Sequence, residues 1–85
     1  MITRGQIRAA RALLGWKQTD LANAAGVSEM SVKNIESETT KKDFRISTLE
    51  SIRGALEDAG IQFVNIEKGE GVIKLKPRGD NGQAA

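Results

Sequence analysis

A mainly α fold, a compact bundle of four short helices followed by a C-terminal β-hairpin, is predicted by three observations. Apolar residues recur every three or four positions through the first two thirds of the chain, in four runs separated by glycines or polar stretches. After Gly60 the pattern changes to β-branched and aromatic residues on either side of a Glu-Lys-Gly-Glu-Gly stretch. The chain has 85 residues, 39% hydrophobic and 28% charged, which is an ordinary globular composition with room for one core.

Thr3 followed by Gln6 fits a capping box, and Ile7, Ala10, Arg11 and Leu14 recur at helical spacing until Gly15 supplies a C-terminal stop. The stripe of this first helix contains Arg11, and a guanidinium on a buried face needs an acidic partner from elsewhere. A second helix is predicted over residues 17–25, with Leu21, Ala22 and Ala25 on its inner face and Gly26 after it. The third begins at Ser28 as N-cap, with Glu29 in the first turn and Val32 and Ile35 pointing inward. Residues 37–45 have no periodicity and read as a polar, basic loop with one aromatic anchor, Phe44. In the fourth helix Ser47 and Glu50 are expected to form a second capping box with Ile46 as its staple. Leu49, Ile52 and Leu56 carry its stripe to Gly60. Gly54 weakens it by about 1 kcal/mol relative to alanine unless it permits close packing. Strands are predicted over residues 61–66 and 72–76, with Pro77 ending the second and the tail from Arg78 frayed.

A domain this short buries only about 60% of its unfolded surface and commonly leans on a metal, a disulfide or a partner subunit. The chain has no cysteine and no histidine. Zinc fingers, disulfide frameworks, haem attachment, Cys/His nucleophiles and imidazole acid/base chemistry are thereby excluded, and no metal or cofactor is expected. A partner subunit is the remaining support. No run approaches the roughly eighteen apolar residues of a membrane span, and Arg4, Arg8 and Arg11 interrupt any signal-peptide core. A cytoplasmic protein without membrane contact is the expectation. The formal charge is only +2, from 13 basic and 11 acidic residues, but the charges are unevenly placed. Arg4, Arg8, Arg11, Lys17, Lys33, Lys41, Lys42 and Arg45 outnumber the acids of the first 45 residues, whereas acids slightly exceed bases in the rest. A basic front half suits a phosphate backbone; an ordinary solvated surface fits this one observation equally well.

The segment from Gln18 to Ser37 meets the demands of two short helices crossing steeply through a tight turn. Ala22 is small enough for the crossing, Gly26 tolerates positive φ, and Leu21, Ala25, Val27, Val32 and Ile35 seal the corner. With Arg11, the Gly15-Trp16-x-Gln18 step, Leu21-Ala22, Ala25-Gly26-Val27-Ser28, Ile35-Glu36 and Thr48-Leu49-x-x-Ile52, residues 4–60 resemble the Cro/repressor (Xre-type) helix-turn-helix family of DNA-binding transcriptional regulators. The chain departs from that family in a longer, more basic loop after Glu36 and in a hairpin where a fifth helix is usual.

The resemblance implies a sequence-specific regulator, most simply a repressor, bound as a homodimer to a palindromic operator in double-stranded DNA, with residues 28–37 in the major groove. It places Glu29, Met30, Lys33 and Asn34 where the family reads base edges. The chemistry agrees: lysine donates to guanine O6 and N7, glutamate accepts from cytosine N4, and methionine covers a thymine methyl. A solvated outer face is the alternative, because residues opposite Val32 and Ile35 are exposed on either reading. Gln18 and Ser28, at helix N-termini, and Lys17, Lys41, Lys42 and Arg45 are the expected phosphate contacts. Glu36 falls where the family pairs an acid with the arginine of the first helix, which gives Arg11 its partner in a structural ion pair. The implied division is a DNA-binding domain over residues 1–60, a hairpin for dimerisation or core cover over 61–77, and a flexible tail over 78–85.

Other signals are set aside. Gly69-x-Gly71 leads into a strand and not a helix, so it reads as hairpin punctuation and not as a phosphate loop. Arg78-Gly79-Asp80 is read as chance, and Trp16 as a plug at the core edge. An antitoxin-like subunit, whose hairpin or tail binds another protein while DNA binding is secondary, is the competing function. An enzyme is the poorest reading, with neither nucleophile nor proton shuttle to assemble.

Overall fold

The computed structural model describes residues 2–37 and 45–76. Within them, helix α1 (Arg4–Leu14) starts from a complete capping box: Thr3 Oγ1 accepts the Gln6 N–H at 3.2 Å, and Gln6 Oε1 accepts the Thr3 N–H at 3.0 Å. Helices α2 (Gln18–Ala25), α3 (Glu29–Glu36) and α4 (Ile46–Asp58) follow. Gly15 and Gly26 end α1 and α2 in the left-handed conformation, both at φ 70°, which costs a residue without Cβ nothing. Each helix contributes its predicted stripe to one core: Ile7 and Ala10, Leu21 and Ala22, Val32 and Ile35, then Leu49, Ile52 and Leu56.

Helix α4 begins differently from its sequence signal. Arg45 is the N-cap and, among the described residues, no side chain caps the helix, so Ser47 lies within the first turn and Glu50 instead meets Arg53 at 3.0 Å. Starting at residue 46 leaves Ile46 64% exposed, without a staple contact to hold. A Cβ at Gly54 would meet nothing within 4 Å, so this glycine marks no close approach.

Strands β1 (Ile61–Ile66) and β2 (Gly69–Lys74) pair antiparallel, with Ile66 opposite Gly69 across the two-residue turn Glu67-Lys68. The second strand therefore starts three residues earlier than Val72, and its regular ladder stops at Lys74. The cause is register. Phe63 must sit beside Val72 for both to cover the helical body, and that alignment carries the ladder outward through Gly71 and Gly69. Beyond it, the Leu75 N–H donates to the Gly60 carbonyl at 2.7 Å. Ile61, Phe63 and Val72 form the inner face, while Val64, Ile66 and Ile73 point away from the body.

Gln6 fastens this hairpin to α1. It is 2% exposed, and its Nε2 donates to the Val64 carbonyl at 3.1 Å and to the Gly71 carbonyl at 2.9 Å. Thr3 adds a link, its Oγ1 donating to Glu70 Oε2 at 2.6 Å. Thr3→Ala removes both the cap and that link, and is expected to cost about 1 kcal/mol in urea unfolding; a loss under about 0.3 kcal/mol would mean that water replaces both bonds freely. Phe44, Pro77 and the tail lie outside the described residues. Among those described, no helix is long and apolar enough to cross a membrane.

Candidate nucleic-acid interface

The corner between α2 and α3 follows from local chemistry. Asp20 accepts the Lys17 N–H at 2.8 Å and so fixes the entry to α2. At its far end the Val27 N–H returns to the Ala22 carbonyl at 3.0 Å. Ser28 Oγ then accepts the Ser31 N–H at 3.0 Å to open α3. Ala22, 3% exposed, lies in the core beneath this corner, and Val27 packs against that core.

Glu29, Met30 and Lys33 stand exposed on the outer side of α3, Met30 at 62%, and Asn34 is half-buried beside them. The four sequence-predicted base-reading residues are thus brought to one short helix whose opposite side is sealed by Val32 and Ile35. Lys33 Nζ lies 3.6 Å from Glu29 Oε2 with both side chains about half exposed. A pair so well solvated is worth little and exchanges partners readily. Lys17 and Ser28, at the starts of α2 and α3, and Arg45, at the start of α4, are exposed as well. Lys41 and Lys42 lie outside the described residues.

Behind α3 the predicted ion pair is present and bidentate. Arg11 Nε and Nη2 donate to Glu36 Oε2 and Oε1 at 2.7 and 2.8 Å, and Nη1 donates to the Trp16 carbonyl at 3.0 Å. The Glu36 side chain is 5% exposed and that of Arg11 20%. Hydrogen bonding to the carboxylate raises the Arg11 pKa from its ordinary value, burial lowers it, and the charge of Glu36 adds to the rise; the net direction is upward.

Gln18 holds a position that its sequence context did not reveal. Its Nε2 donates to Glu36 Oε1 at 3.0 Å, so the side chain expected on a phosphate is engaged inside the domain. What α2 still offers an anion at that end is its N-terminal backbone. Gln6 is the other residue whose full role was missed: the capping box was legible, the two hairpin carbonyls were not. Between α1, the start of α2 and the end of α3 lies an open recess of about 450 Å³ lined by Arg8, Arg11, Gln18, Lys33, Glu36 and Ser37. Its formal charge is cationic, because three bases surround one acid.

The arrangement is an exposed helix of eight residues, about 12 Å long, that presents a donor, an acceptor and an apolar tip. A major groove about 12 Å wide admits such a helix. A family model described as helix-turn-helix (HTH_3) matches residues 7–57, a span that takes in most of α1, all of α2 and α3 and nearly all of α4, and ends before the hairpin. No curated protein matches the chain.

Proposed function

Because the chain belongs to the helix-turn-helix family of DNA-binding domains, we propose that it is a sequence-specific regulator that reads the major groove with α3. The observation that carries this reading is the grouping of Glu29, Met30, Lys33 and Asn34 on the one side of α3 that the core leaves open. Lys33 and Asn34 supply donors for base edges, Glu29 an acceptor and Met30 an apolar contact. Lys17, Ser28, Lys41, Lys42 and Arg45 contact phosphates, and Gln18 contributes through the helix start it occupies. Residues 1–60 bind DNA, and two copies joined through residues 61–77 occupy a palindromic operator. Occupancy alone blocks overlapping sites, so repression is the simplest outcome.

Selection of bound sites from random duplex DNA, followed by binding to single-base variants of the preferred site at two salt concentrations, tests this. Glu29→Ala, Met30→Ala or Lys33→Ala is expected to cost about 1–3 kcal/mol on the preferred site and to relax preference at one position of each half-site. Lys41→Ala, Lys42→Ala or Arg45→Ala is expected to weaken binding to all duplexes alike and to lower the salt slope by about one unit per contact. A uniform loss from the α3 substitutions, or no preferred sequence at all, sinks the assignment in favour of an antitoxin-like, protein-binding role.

A further inference from the structure

We propose that the outer face of the hairpin is the docking surface for a second copy of this chain, packed face to face with the two turns at the same end. The proposal refines the homodimer assumed above, but its test needs no DNA.

Three of the six exposed large hydrophobic residues among those described gather here: Ile66 at 66%, Ile73 at 48% and Leu75 at 49%. Their layout is uneven in a regular way. Toward the turn, Val64 and Ile66 on β1 stand opposite Gly71 and Gly69 on β2; toward the base, Ile73 and Leu75 stand opposite Gln62 and Gly60. Bulk therefore occupies one diagonal of the face. On the other diagonal a Cβ at Gly69 or Gly71 would meet nothing within 4 Å. A two-fold axis along the strands lays β1 of one copy over β2 of the other, so that Val64 and Ile66 of each copy cover the bare Gly69 and Gly71 of the other. Charge and shape both favour this axis: it sets Glu67 of one turn against Lys68 of the other, twice, whereas an axis across the strands would lay Val64 and Ile66 over Gln62.

The area sets the strength. Two strands of six residues present a face of about 20 by 10 Å, well short of the roughly 800 Å² per partner of a stable interface. Association through this face alone is weak in free solution, and two adjacent half-sites supply the proximity that completes it.

The test follows amide shifts and sedimentation of the full chain from tens of micromolar to about 1 mM. Concentration-dependent shifts confined to residues 62–75, with growth to a dimer, are expected. Gly71→Val places a β-favouring side chain where the monomer has room, so the fold is kept or strengthened while self-association weakens by about tenfold or more. Glu67→Lys weakens it too, and adding Lys68→Glu restores it. A monomer through about 1 mM, or association that survives Gly71→Val, overturns the proposal. A loss with Glu67→Lys that the double exchange fails to restore overturns the turn-to-turn arrangement.

Discussion

Arg11→Met lowers stability by about 3–5 kcal/mol, and Glu36→Met by a similar amount, while the double replacement costs much less. The asymmetry comes from what each single change leaves behind. Without Arg11, a carboxylate that is 5% exposed keeps, among the described residues, only the Gln18 amide as a donor. Without Glu36, a guanidinium packed on the α1 stripe keeps, among the described residues, only the Trp16 carbonyl. For a domain of this length, whose whole stability is about 4–13 kcal/mol, either loss brings the chain close to unfolding at ambient temperature. A double-mutant cycle in urea is the measurement, with a coupling above about 2 kcal/mol expected; a coupling below about 0.5 kcal/mol would mean that the two side chains are independently solvated. Because the folded Arg11 pKa is raised, its contribution is fully present below the unfolded arginine value and is lost only as pH rises through the folded one, beyond the working range of most proteins.

Gln6→Glu is the second large effect, about 3 kcal/mol or more at neutral pH, although it changes one atom type and leaves the capping acceptor in place. The lost Nε2 faces the Val64 and Gly71 carbonyls, and a carboxylate oxygen there would oppose two acceptors without a proton to share. Burial and repulsion hold such a carboxyl above the ordinary value of about 4.3, so the folded state retains the proton longer than the unfolded chain. Stability of the variant then falls as pH rises through that interval and recovers on acidification. Unfolding of Gln6→Glu and Gln6→Met at about pH 5 and pH 8 separates the causes: the first deficit shrinks in acid, the second does not. Equal deficits at both pH values would show that water reaches the site.

The helices were legible because their determinants are local. Periodic stripes, the Thr3–Gln6 box and the stops at Gly15 and Gly26 all act within a few residues, and each reappears as expected. The hairpin was legible in kind but not in register, since two glycines within residues 67–71 allow several turns. The choice among them is made by Phe63 and Val72 against helices folded earlier in the chain. The Ser47–Glu50 box shows the reverse failure, a local signal overruled where the helix starts two residues sooner. Gln6 and Gln18 were read only through their near neighbours. Their decisive partners lie 58 and 65 residues away for Gln6 and 18 for Gln18, separations that no periodicity records. Arg11 was different, because an unexplained charge on a core stripe announces that a partner exists, and the resemblance placed that partner at Glu36, where it is found.

Helix α3 is tied at both ends, by the Ser28 cap at its start and by Glu36 at its close, which receives donors from α1 and α2. The consequence is thermodynamic. An outward face carried on so restrained a helix loses little backbone freedom on meeting a partner, so the entropic cost of association falls mainly on the exposed tips of Glu29, Met30 and Lys33. Docking of this helix is then close to rigid-body, with an encounter rate set by diffusion and charge rather than by a folding step. Calorimetry should accordingly show a heat-capacity change in proportion to the contact surface alone, without the excess that marks a segment that folds as it binds.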